Sequence, residues 1–171
     1  MKSFLQDLND YEASRVLRVL LDGDPDLLSK AYDIALEVAG DVDADRIMDD
    51  VYYELESLDV DTMSGRSGRT SYGYVDPADA SWEMFEEALN PFIQEMKTSQ
   101  QRALPAAAKA YCIGIIRGLW RYGEDSISEF SDWVTDAPDE YIDIVVEEWK
   151  KGNPPSEDID EVTDIVKGWR S

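Results

Sequence analysis

Pro105-Ala106-Ala107-Ala108-Lys109-Ala110-Tyr111-Cys112-Ile113-Gly114-Ile115-Ile116-Arg117-Gly118-Leu119-Trp120-Arg121-Tyr122 is the stretch that decides the fold. It is apolar around nearly its whole circumference, so a helix built from it has no solvated face wide enough for a surface position. The spacing therefore predicts the central, most buried helix of an all-α protein.

Upstream, Ala13, Val16, Leu17, Leu20 and Leu21 recur at i, i+3, i+4, i+7 and i+8, and Leu27, Leu28, Ala31, Ala35 and Val38 repeat the pattern. Asp22-Gly23-Asp24-Pro25 divides these two amphipathic helices, with Gly23 ending the first and Asp24 and Pro25 starting the second. A third helix, about Ala44 to Leu58, carries Ile47, Val51, Leu55 and Leu58 on one face. The start signal Asp76-Pro77-Ala78-Asp79 opens a fourth, with Trp82, Phe85, Leu89, Phe92 and Met96. Pro91 within it predicts a kink near Glu87 or two short helices. Beyond the central helix come a short helix with Ile127, Phe130 and Val134, another from about Pro138, and a last with Ile159, Val162, Val166 and Trp169. No stretch alternates with period two, so no sheet is expected. Seven or eight helices with short turns fit an irregular orthogonal bundle in a single domain, residues 1–171. Stacked helical hairpins of the HEAT or TPR kind are the alternative, although no fixed period is present.

The 171 residues hold 38 acids, 16 bases and no histidine, for a net charge of −22. The charge is uneven: about −12 over residues 1–63, +1 over 64–123 and −11 over 124–171. Such a field repels nucleic acid and anionic lipid, whose binding draws on Lys and Arg. Direct nucleic-acid binding and membrane partners are therefore not expected, whereas a basic protein partner is favoured. The N-terminus lacks an apolar signal-peptide core and no span is apolar enough for a membrane, so cytoplasm is the expected location. Cys112 is the single cysteine and forms no intramolecular disulfide.

Without histidine, the usual general base near neutral pH is missing, and Cys-His catalysis and structural zinc are excluded. No catalytic residue, cofactor or metal site is assigned from the sequence. Asp45/Asp49 and Asp50/Glu54 are four apart and could share a magnesium ion. Glu83 and Glu86 supply half of a pyrophosphatase-like pattern, but Glu129 and Asp132 lie too far on to complete it. The clusters Asp22/Asp24/Asp26 and Asp41/Asp43/Asp45 mimic the opening of a calcium loop, then place Leu27 and Arg46 where glycine is required. Helix capping accounts for both.

Asp59 to Asp76 reads as an 18-residue connection in a chain of short turns. Within it, Arg66 and Arg69 offer planar forks for an anion, Tyr72 and Tyr74 offer stacking faces, and three glycines permit close approach. Arg117 and Arg121, one turn apart on the central helix, add two more cations. These six residues are the candidate ligand- or partner-binding set. The competing expectation is structural: the arginines meet acids of neighbouring helices and the tyrosines pin the loop to the core.

The segment Gly68-Arg69-Thr70-Ser71-Tyr72-Gly73-Tyr74-Val75-Asp76-Pro77, followed by Ala80, Trp82, Glu83, Leu89, Pro91 and Phe92, resembles part of a family of uncharacterised small acidic helical proteins of bacteria and archaea. The resemblance covers about a seventh of the chain. It implies a prokaryotic all-helical protein and brings no activity or site with it.

The expected function is a non-enzymatic protein-interaction or adaptor module, with homo-oligomerisation compatible. One alternative is an anion-binding enzyme or sensor for phosphate or nucleotide, using Arg66 and Arg69 with a metal on Asp49 or Asp50. Another is an acidic mimic of nucleic acid.

Overall fold

The computed structural model describes residues 2–70 and 73–170, the side chains of residues 2, 3 and 70 excepted. The architecture is all-α. Its elements are α1 (Lys2–Gln6), α2 (Asp10–Leu21), α3 (Pro25–Gly40), α4 (Ala44–Glu56), α5 (Val60–Arg66), β1 (Gly68–Thr70), β2 (Gly73–Val75), α6 (Pro77–Gln101), α7 (Pro105–Asp125), a 3-10 turn (Glu129–Trp133), α8 (Ala137–Lys150) and α9 (Ser156–Trp169). Among the described residues, no helix is long and apolar enough to cross a membrane. The sequence reads as one domain; the packing divides it into two compact units, Met1–Asp41 and Val42–Ser171.

In the first unit, local chemistry sets the helix ends. Asn9 and Glu12 form a reciprocal capping box: the Glu12 N–H donates to Asn9 Oδ1 at 3.0 Å, and the Asn9 N–H donates to Glu12 Oε2 at 3.1 Å. Gly23 takes a left-handed φ of +84° in the turn. Asp24 then caps α3, accepting from the Leu27 N–H at 3.0 Å, with Pro25 at the first helical position. Both helices form where the sequence predicts them, yet no residue of either is buried.

The second unit is built around α7, which packs against α4, α6, α8 and α9. Ten of its residues are buried, as its all-round apolar composition requires. Gly114 and Gly118, one turn apart, form a groove that receives Ile47 and Val51 of α4. Phe85 and Tyr141 meet at 5.4 Å between ring centres, and Trp120 of α7 stacks on Trp169 of α9 at 5.2 Å.

Two expectations differ from the structure. Helix α6 runs unbroken through Pro91, which lies on its exposed side, where water can take the carbonyl bond that proline cannot make. Residues 59–76, read as a long connection, contain α5 and an antiparallel two-stranded hairpin. Asp59 caps α5 by accepting from the Thr62 N–H at 2.7 Å, and Gly68 and Gly73 supply φ values of +87° and +135°. Strands of three residues are too short to declare themselves by alternation.

Candidate partner-binding region

The candidate cations fall into separate settings. Arg66, the last residue of α5, donates to Glu87 Oε2 of α6 at 2.6 Å, tying the two helices together. That bond raises the Arg66 pKa above its ordinary value. On α7, Arg117 reaches Asp45 at 2.8 Å and Arg121 reaches Asp49 at 2.7 Å. Because both helices place i and i+4 on one face, the two pairs repeat one turn apart along the α4–α7 seam. The Arg121 guanidinium also lies over the Tyr52 ring, 4.2 Å from its centre. Burial and the nearby Glu56 carboxylate raise the Tyr52 pKa, and Arg121 partly offsets them.

Arg69 and Tyr74 are arranged differently. They are directly opposed partners in the hairpin register, so their side chains leave the same face of the two-stranded sheet. Both are exposed, Tyr74 at 72%. Arg69 makes no ion pair among the described residues. Tyr72 lies outside the described residues.

Other ion pairs act as ties between helices. Lys109 of α7 bridges Asp158 and Glu161 of α9, each at 2.6 Å, and Arg170 holds Asp139 and Asp143 of α8 at 2.7 and 3.0 Å. Asp45 and Asp49, considered from the sequence for a metal, serve as acceptors for the α7 arginines. Among the described residues, no three Cys, Asp or Glu side chains are grouped to hold a metal ion.

Sequence reasoning missed Glu87 as the partner of Arg66, and it missed the glycine groove that brings α4 within reach of Arg117 and Arg121. The i, i+4 spacing of Gly114 and Gly118 inside an apolar helix was a signal for close helix approach. Nothing comparable in the sequence marks Glu87.

No family model, curated protein or solved structure matches this chain.

Proposed function

We propose that this chain is a cytoplasmic protein-interaction module that uses the β1–β2 hairpin as a contact point. The observation that carries this reading is the Arg69–Tyr74 pair, an exposed guanidinium beside an exposed phenol on one face of a short sheet. Arg and Tyr are the side chains most often found at the energetic centre of protein interfaces, because each combines a wide contact surface with directed hydrogen bonds. Arg69 takes a partner's carboxylate or backbone carbonyl, and Tyr74 packs against an apolar side chain. The net charge of −22 favours a partner whose surrounding surface is basic, and disfavours nucleic acid as a direct ligand.

A photo-crosslinking residue in place of Tyr74 tests the reading at moderate salt, with the same residue at Glu157 as the control position. Adducts to a basic protein are expected at position 74 and should be lost with Arg69→Glu. Equal labelling at both positions, or adducts indifferent to Arg69→Glu, counts against a hairpin contact.

A further inference from the structure

Helix α3 has the composition of a buried helix without the burial. Its polar residues Asp26, Ser29, Lys30, Asp33 and Glu37 fall within an arc of about 100° at 100° per residue, leaving the rest of the circumference apolar. One neighbouring helix cannot cover so wide a surface, and α2 does not: Leu28 is 52% exposed, Tyr32 62% and Val38 71%. On α2 itself, Leu17 and Leu20 are half exposed as well. A further apolar groove of about 420 Å³, lined by Phe4, Leu8, Val16, Val19 and Leu20, runs between α1 and α2.

We propose that α2 and α3 pair with the same two helices of a second copy, forming a four-helix bundle across a two-fold axis. Nine large apolar side chains of α2 and α3 are exposed. At roughly 100 Å² apiece they offer up to about 900 Å² per copy, against about 800 Å² per partner in a standard stable interface. The required occupant is two apolar-faced helices of matching length, which an identical hairpin supplies; α2 has 12 residues and α3 has 16.

Residues 1–41 hold nine acids and four bases, so the pairing rests on apolar area rather than on net charge. Arg15, Arg18 and Lys30 of this unit have no acid partner among the described residues. An identical hairpin brings acids as well as bases near these three cations. This pairing is independent of the hairpin contact proposed above, so either can fail alone.

Sedimentation equilibrium of the full chain at about 100 μM and near-physiological salt should give twice the 19.4 kDa chain mass. The double variant Leu28→Gln/Val38→Gln should weaken association at least about 100-fold. All five tryptophans lie beyond residue 41, so their unchanged emission would show that the second unit stays folded in the variant. A second measurement uses proximity: because Cys112 is buried, Leu28→Cys adds the reactive thiol, and a short bis-maleimide should join two such chains. Asp33→Cys, on the polar stripe, should link poorly. A 19.4 kDa species at every concentration overturns the proposal. So does a dimer that survives the double variant, equal linking at positions 28 and 33, or a monomer whose α3 amides are strongly protected from exchange, since the face is then covered within one chain.

Discussion

Gly118 of α7 lies so close to Val51 of α4 that one added carbon has nowhere to go: a Cβ at Gly118 would stand 2.7 Å from the Val51 Cβ and 2.9 Å from the Met48 carbonyl oxygen. Neither atom is the free end of a flexible side chain, so relief requires moving α4 as a whole. Gly118→Ala gains about 1 kcal/mol of helix propensity but incurs an overpacking cost of about 1–3 kcal/mol. A net loss of about 1 kcal/mol is expected in urea melts followed by tryptophan emission. Gly168→Ala on α9, where no atom lies within 4 Å, should instead gain a few tenths to about 1 kcal/mol. Equal stability of the two variants would contradict the tight α4–α7 seam.

Arg121 joins Asp49 and Tyr52 at that same seam. Its side chain and that of Asp49 are partly exposed, so a double-mutant cycle should give a coupling below about 1 kcal/mol that shrinks in high salt. Arg121→Ala should nevertheless cost more than Asp49→Ala, because it also removes the guanidinium and its stem from the Tyr52 ring, worth about 0.5–1 kcal/mol. The reverse order would show that the ring contact contributes nothing.

Burial pushes the phenols of Tyr122 and Tyr141 up to about 12. Ser126, which donates its own proton to Glu56, lies beside the Tyr122 hydroxyl and partly offsets that rise. A folded pKa above the unfolded one stabilises the protein fully below about pH 10 and progressively less as pH rises toward 12. Stability of the second unit should therefore fall above pH 10, by about 1.4 kcal/mol per pH unit for each phenol. Tyr122→Phe should remove part of that slope while changing stability at pH 7 by less than about 1 kcal/mol. An unaltered alkaline slope in this variant would assign the effect elsewhere.

At the acid end, bonds from Lys151 and Lys97 hold the Glu148 carboxyl below its ordinary pKa. A depressed carboxylate pKa gives stability that is present above the unfolded value near 4.3 and lost as pH falls through the lower folded value. Glu148→Gln should cost about 1 kcal/mol at pH 7, and it should flatten the loss of stability below about pH 4 in acid melts. A variant as stable as the parent at pH 7, with the same acid limb, would show the Lys97–Glu148–Lys151 cluster to be energetically silent.

The helices were largely legible before the fold was known, because the signals that set them act over a few residues. The Asp24, Asp43 and Asp76 caps each accept a backbone N–H two or three residues on, and the all-round apolar character of α7 required its burial. The short hairpin was not legible, since three-residue strands carry no measurable alternation.

By itself, the sequence determined the helical class, most helix starts and the acidic field, all properties of neighbouring residues or of composition. Tertiary structure alone decided which cations remained available. Arg117 and Arg121 meet acids 72 residues away and Arg66 meets one 21 residues away, distances over which no local pattern operates. It likewise decided that α2 and α3, written with apolar faces, would not cover each other's within their unit: a periodic stripe specifies that a surface wants burial, and only packing determines what supplies it.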